Sequence, residues 1–241
     1  MPWLGSAQSR GFEILKNLEL MDQIHEYLDL YYVDEPATGY ISKVAIDEML
    51  KKLELSHESH LELINYCKKK AKELGLDNQV NFELADYREI QGQYDRIYSV
   101  GMFEHVGKKF YKAFFESMNK LLKDDGIFLL HTIGVVDQPS PPNKFINKYI
   151  FPGGMLPSPA ALRSEVERAG LKVVNSIEFG ESYSQTLRRW HETFNVKWDE
   201  ISEMGFDDRF RRMWNFYLTS CASTFHYGNC DVTQITIEKP S

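Results

Sequence analysis

The sequence predicts an α/β fold built on a mainly parallel sheet, and three observations carry that prediction. The first is a single stretch, Tyr94 to Gly134, that reads strand, helix, strand. Asp95-Arg-Ile-Tyr-Ser-Val100 is a short run of strand formers that ends at Gly101. Lys108 to Leu122 then places Phe110, Tyr111, Phe114, Phe115, Met118, Leu121 and Leu122 at helical spacing. Lys123-Asp-Asp-Gly126 breaks that helix, with a glycine where a C-cap needs one, and Gly126-Ile-Phe-Leu-Leu-His131 is a second apolar strand. Strand, helix and strand within about 40 residues make a βαβ unit with parallel strands and a right-handed crossover. The second observation is a set of further strand patterns at Val80–Leu84, Leu171–Ile177 and Asp231–Glu238. The third is the position of two polar residues, Glu104 and His131, just past the carboxyl ends of the paired strands. In open α/β sheets ligands bind at that edge.

Composition bounds the function. A chain of 241 residues, 43% hydrophobic, can bury a full core as one large domain or as one domain plus a small appendage. Its net charge of −7 argues against nucleic acid as the main partner. Cys67, Cys221 and Cys230 are too scattered for a disulfide framework or a zinc site and fit a reducing cytoplasm. No metal site is expected. No apolar span of transmembrane length and no signal peptide appears, so membrane contact is expected to be peripheral. Nothing in the pattern fixes an oligomeric state, and a homodimer is left open.

Along the chain, residues 1–55 read as an amino-terminal helical segment and 56–241 as the main domain. Gly11–Tyr32 and Ser42–Leu53 have helical spacing, with Asp34–Gly39 as a loop between them. Ser56–Leu74 reads as a third helix with Ser56 as N-cap and Gly75 closing it. Val80-Asn-Phe-Glu-Leu84 alternates as a strand and is followed by Asp86-Tyr-Arg. Asp86 can accept from an exocyclic amine while Tyr87 stacks on a base, which would hold an adenine. Equally, Asp86 can cap the next turn while Tyr87 covers the sheet edge.

A proline-rich loop runs from Val136 to Pro159. Within it, Phe145-Ile-Asn-Lys-Tyr-Ile-Phe151 suits a membrane interface, or a short helix packed on the core. Ser158–Ala169 is a helix with Ser158 as cap and Pro159 in its first turn. Gly180–Leu187 leads into an aromatic helix holding Trp190, His191 and Phe194. Asp207–Tyr227 is long and amphipathic, and its Arg209, Arg211 and Arg212 either meet phosphate headgroups or form a solvated face.

Several long segments together resemble one family. DYRE, YDRIYSVGMFEHVG, GIFLLHTIG, FINKYIFPGGMLPS, the Phe179–Trp190 stretch and RFRRMWNFYLTSCASTF occur in order between about Lys68 and Ile237. On these motifs the chain resembles the cyclopropane-fatty-acyl-phospholipid synthases and the mycolic acid methyltransferases. The resemblance implies a class I methyltransferase (Rossmann-like) sheet with helices on both faces and its last strand antiparallel. It implies S-adenosylmethionine as cofactor and the cis double bond of an unsaturated phospholipid acyl chain, at a membrane surface, as the methyl acceptor. It also implies a bound bicarbonate that takes the proton lost on ring closure. By motif, Glu104, His131 and Tyr183 match the side chains that hold the bicarbonate, and Ile133 matches a backbone contribution to the same site. Asp86, Tyr87, Gly101 and Ser56 are the positions expected near the cofactor. Taken singly, His131 reads equally as a satisfied structural histidine and Glu104 as a helix cap.

The chain departs from the family at its cofactor loop. The glycine-rich turn after the family's first strand is absent, since Gly5, Gly11 and Gly39 are the only glycines before Gly75 and are not clustered. Glycine lets backbone approach the cofactor closely, and the following helix start adds favourable polarity. Lys51–Leu55 resembles the segment before that turn and Ser56–Glu58 the one after it. On the order of 30 residues, a βαβ-sized unit, is missing between them. The family's aromatic motif with a cysteine near the amino end is also absent. The chain is then an internally deleted member, or an active enzyme whose sequence as read lacks a segment, or one whose amino-terminal helices build a substitute. A non-catalytic lipid-binding module is the reading from a different class.

Overall fold

The computed structural model describes residues 38–42, 58–136, 143–151 and 154–240. The expected helix over 11–32, the expected helix Ser42–Leu53 apart from Ser42, which is a strand residue paired with Ala85, the N-cap Ser56 and the boundary at 55/56 lie outside them. The chain divides into two compact units, 1–89 and 90–241.

The first unit pairs β1, Thr38–Ser42, with β2, Asn81–Ala85, in parallel, and carries α1, Glu58–Glu73. The loop expected at Asp34–Gly39 therefore ends earlier, because Thr38 and Gly39 take ladder partners in Asn81 and Phe82. A glycine and a proline nearby signal a turn only until pairing with a distant strand overrides local preference.

The second unit is a four-stranded sheet in the order β3-β4-β6-β5. β3 is Tyr94–Val100, β4 is Leu122–Val135, β5 is Lys172–Glu178 and β6 is Cys230–Glu238. β3 and β4 run parallel, joined through α2, Tyr111–Leu121, as the βαβ pattern requires. β6 is antiparallel to both β4 and β5. Among the described strands no ladder joins the two sheets, and β3 is an edge strand of the larger one.

From Gly126 onward no residue of β4 is exposed, as in a strand covered on both faces. Phe128 meets Phe114 of α2 with ring centroids 6.1 Å apart. His131, three residues on and so on the opposite face, meets Phe179. Phe179 is the N-cap of α4, Gly180–Val196, so helices cover both faces. α5, Trp198–Glu203, and α6, Asp208–His226, complete the second layer, tied to α4 where the buried Ser184 hydroxyl donates to the Ala222 carbonyl at 2.8 Å. On the first face α3, Pro159–Arg168, starts as expected from Ser158, whose hydroxyl accepts from Ala161 N–H. Phe103, Phe114, Phe115 and Phe128, all fully buried, form the aromatic centre of the core.

The Gly126 expectation needs correction. α2 ends at Leu121, Leu122 is already extended, and Gly126 is absent from the glycines with positive φ. A Cβ at Gly126 would sit 2.7 Å from Leu122 Cδ1, so this glycine permits a close chain approach where the β3–β4 register slips. The stretch Phe145–Phe151 forms a short π-helical turn, Ile146–Ile150, with Ile150 buried.

Candidate active site

The site grows from the turn after β3. Gly101 closes that strand at φ +63°, a conformation that side chains rarely adopt, and its N–H donates to the His131 carbonyl at 3.1 Å. The chain then folds into a short 3₁₀ turn, Phe103–His105, pinned by the fully buried Phe103. That turn drives Glu104 inward. Its Oε1 accepts from Ile133 N–H at 2.6 Å, and its carbonyl accepts from Met155 N–H at 3.0 Å. Its Oε2 is buried without a hydrogen-bond partner among the described residues. Burial pushes the Glu104 carboxyl above the usual carboxylate range, against opposing pulls from the Ile133 amide, its own backbone and the Thr132 hydroxyl. Glu104 is therefore not a cap for the helix that starts near Lys108: its carboxylate serves a neighbouring strand, and neither the turn at Lys108–Phe110 nor α2 has a side-chain cap.

His131 lies beside that turn on β4, half-buried, with Val100 of β3 and Gln234 of β6 as its ladder partners. Gln234 Nε2 meets His131 Nδ1 at 3.2 Å, and Phe179 stacks on the ring at a 6.2 Å centroid distance. Burial alone lowers the imidazole pKa, which favours the neutral ring. Ile133 contributes through its backbone N–H, the kind of contribution its motif position implied.

Tyr183 belongs to the first turn of α4. Its N–H donates to the Phe179 carbonyl at 3.1 Å, so it stands one turn beyond the residue that stacks on His131. Asp231 at the start of β6 fixes that helix start by accepting from Gly180 N–H at 2.8 Å, where a Cβ would crowd its carboxylate at 3.1 Å. The Tyr183 ring packs edge-on to Phe225 at 4.9 Å and to Trp190 at 6.1 Å. Glu104 is thus tied to the backbone of Ile133, His131 lies two residues before Ile133 on the same strand, and Tyr183 stands one helical turn beyond Phe179, which stacks on His131.

Three residues near this group carried no functional signal in the sequence: Gln234, Asp231 and Tyr111. Tyr111 opens α2, stacks on Phe103 at 4.4 Å and is 2% exposed. Its hydroxyl has no hydrogen-bond partner among the described residues. Burial, with the nearby Glu104 charge, pushes its pKa up to about 12. A buried hydroxyl without a partner destabilises, so Tyr111→Phe is expected to raise stability by about 1 kcal/mol in urea unfolding. A loss of stability would mean that the hydroxyl is paired in solution.

In the first unit, Asp86 at the carboxyl end of β2 holds Arg88. Its Oδ1 accepts from Arg88 N and Nε at 3.0 Å, and its Oδ2 from Nη2 at 2.6 Å. Asp86 also receives Glu89 N–H on its carbonyl, the arrangement of a capped turn. Tyr87 is buried beside it. Gly101, expected near the cofactor, serves the turn that carries Glu104. No cluster of metal-ligating side chains occurs among the described residues. The three cysteines are free thiols, and burial pushes Cys221 up to about 11, which favours the protonated thiol at neutral pH. A shallow hollow bounded by Gln93, Glu116, Asn119 and Lys239 lies at the opposite, amino-terminal end of β4 and takes no part in this group.

Residues 42–235 match the family described as mycolic acid cyclopropane synthetase. The chain is 41% identical over 165 residues to a cyclopropane-fatty-acyl-phospholipid synthase of Escherichia coli K12, covering 68% of this chain and 42% of that one. It is 34% identical over 168 residues to the tuberculostearic acid methyltransferase UfaA1 of Mycobacterium tuberculosis, covering 68% and 39%. The chain thus spans about two-fifths of the length of these relatives. The solved cyclopropane synthase MmaA2 of M. tuberculosis superposes with a TM-score of 0.70 at 24% identity, over 85% of this chain and 79% of that one, which shows the class I methyltransferase fold. The mycolic acid cyclopropane synthase CmaA1 complexed with SAH and CTAB gives 0.69 at 25% identity, with the same coverage. The chain belongs to the mycolic acid cyclopropane synthetase family.

Proposed function

We propose that this chain transfers a methyl group from S-adenosylmethionine to the cis double bond of an unsaturated phospholipid acyl chain, giving a cyclopropane or methyl-branched product. The observation that carries the reading is the buried carboxylate of Glu104. It is fixed on one oxygen by Ile133 N–H and has no hydrogen-bond partner on the other among the described residues, and the neutral His131 stands two residues before Ile133 on β4. A carboxylate buried at that cost is retained where a ligand uses it.

The donor set suits a small oxyanion that carries a proton, such as bicarbonate. Glu104 Oε2 needs a donor, and the imidazole and the Tyr183 phenol can supply donors to the anion's other oxygens. A raised Glu104 pKa lets a proton be shared between the carboxyl and the anion instead of setting two full charges against each other. Bicarbonate, when held there, supplies the base for the proton that leaves the added methyl. S-adenosylmethionine supplies the electrophilic methyl. The protein's part is to place these groups and exclude water, and the rings of Phe103, Phe179 and Phe225 bring apolar surface to that task.

A surface for the lipid is supported by the second unit. Phe216 is 56% exposed and packs edge-on to Phe145, and Phe151 and Met155 are exposed nearby in the chain. Lys148 and Arg209 both act on the Tyr149 ring hydroxyl. Apolar rings beside cations suit an anionic membrane surface. Lys148→Glu with Arg209→Glu is expected to weaken sedimentation with anionic vesicles by roughly five-fold per residue, from about 1 kcal/mol each. Unchanged sedimentation would move the lipid contact elsewhere.

The cofactor reading is tested by calorimetric titration with S-adenosylmethionine and S-adenosylhomocysteine. The chain lacks the glycine-rich turn, and loss of two or three backbone hydrogen bonds, each about 0.5–1.5 kcal/mol, weakens binding by roughly 10- to 10³-fold. Saturable binding between tens of micromolar and millimolar ligand is therefore expected. No saturation at millimolar ligand would overturn the methyl-transfer reading.

A further inference from the structure

The ladder partner of His131 across β6 is Gln234, a residue with no charge to offer. Its amide Nε2 lies 3.2 Å from His131 Nδ1. An amide NH2 can only donate, so this contact is a hydrogen bond only where Nδ1 is bare and the proton of the neutral imidazole sits on Nε2. Other neighbours give the ring no competing instruction. Phe179 stacks on its face, and Gly101 N–H engages only its backbone carbonyl. No charged side chain among the described residues acts on it, from β3, β6 or α4, and burial is the only cause of its shift. Had the partner been Glu or Asp, the carboxylate would accept from Nδ1–H and stabilise the imidazolium.

We propose that Gln234 is a positioning residue for the reaction. By donating to Nδ1 it holds His131 neutral with its proton on Nε2. The ring then acts toward the site as a hydrogen-bond donor to an oxyanion, and not as a base. This rests on the reading of His131 as an anion-site residue, but the tautomer belongs to the protein alone and needs no cofactor to be observed. The residues sit 103 positions apart, so the pairing exists only once β4 and β6 are zipped.

The test is nitrogen-15 NMR of the full chain, with the His131 ring signals assigned by their loss in His131→Gln. A neutral ring with Nε2 protonated and Nδ1 bare is the expected result near pH 8. A proton on Nδ1, or a cationic ring at that pH, would overturn the proposal. Gln234→Glu is expected to put a proton on Nδ1 and raise the His131 pKa by roughly 1–3 units. Gln234→Met keeps the volume, removes the donor and is expected to give a mixture of tautomers, which keeps the proposal testable if the glutamate variant does not fold. Retention of the single Nε2–H tautomer in Gln234→Met would also overturn it. Phe179→Leu is the structural control: it should lower the thermal midpoint and leave the tautomer unchanged. A chain that fails to turn over but shows this tautomer pattern would contradict the proposed function and leave the Gln234 assignment standing.

Discussion

Glu104→Gln is expected to cut methyl transfer by about 10²–10⁴-fold, the range for losing a group that handles a proton in the transition state. The amide still accepts from Ile133 N–H, so the turn that carries residue 104 keeps its anchor. What disappears is the capacity to share a proton at Oε2. The same substitution has a second signature in stability. Burial raises the folded-state pKa of Glu104 above its ordinary 4.5. In the window between those two values the folded chain holds a proton that the unfolded chain has released. Stability contributed by this group therefore falls as pH rises through the window, and the full cost of the buried charge is present above it. Glu104→Gln removes that dependence and is expected to be no less stable than wild type at neutral pH. Thermal midpoints of both proteins across about pH 4 to pH 8 check this. An active Glu104→Gln enzyme would sink the role assigned to the carboxylate.

Phe114→Ala is expected to cost about 3–5 kcal/mol, a large part of a typical stability of about 5–15 kcal/mol. Phe114 is fully buried and touches three other fully buried rings, with centroids 5.0 Å from Phe103, 5.2 Å from Phe115 and 6.1 Å from Phe128. Removing it opens a cavity directly beneath the turn that aims Glu104. Phe114→Leu keeps most of the volume and should cost much less. Chemical denaturation of the three proteins orders them. Equal midpoints for wild type and Phe114→Ala would contradict this description of the core.

His131 gives the opposite pH signature to Glu104. Its folded-state pKa is depressed below the ordinary 6.5 by burial. On acidification the unfolded chain takes up its proton first, so stability is lost as pH falls from about 6.5 through the folded value. His131→Gln is expected to flatten that limb and, with the anion-site donor gone, to abolish turnover without unfolding the chain.

Much of the second unit was legible because its signals are local. The strand that ends at Gly101, the aromatic face of α2, and Ser158 as a cap depend on residues a few positions apart. Glu104 stood out because it follows a strand end, where an α/β sheet opens to ligands. His131, expected just past the end of its strand, lies inside β4, which runs on to Val135 because β6 pairs with it that far. The joint role proposed for them rests on the motifs around them, and the Glu104–Ile133 contact spans 29 residues, which no periodicity encodes. Gln234, Asp231 and Tyr111 were invisible for a similar reason. Gln234 looks like one more alternating strand residue until β6 is laid against β4, and Asp231 becomes a helix anchor only through a contact 51 residues away. Gly126 misled because a glycine after a helix usually signals a left-handed cap, whereas here it relieves crowding against Leu122. Thr38–Ser42 was misread because its strand character comes from its partner, Asn81–Ala85.

The most direct test is whether the full chain moves a methyl group into lipid. The protein is incubated with S-adenosylmethionine bearing a deuterated methyl and vesicles of a phospholipid with cis-monounsaturated chains, and the acyl chains are then analysed by mass spectrometry. The expected result is a Glu104-dependent acyl product one carbon heavier, retaining two of the three deuterons where loss of a methyl deuteron closes a cyclopropane and all three where the cation instead loses a proton from the chain and leaves a methyl-branched alkene. Vesicle binding with no labelled acyl product at saturating cofactor would contradict it and leave a lipid-binding protein on a methyltransferase fold.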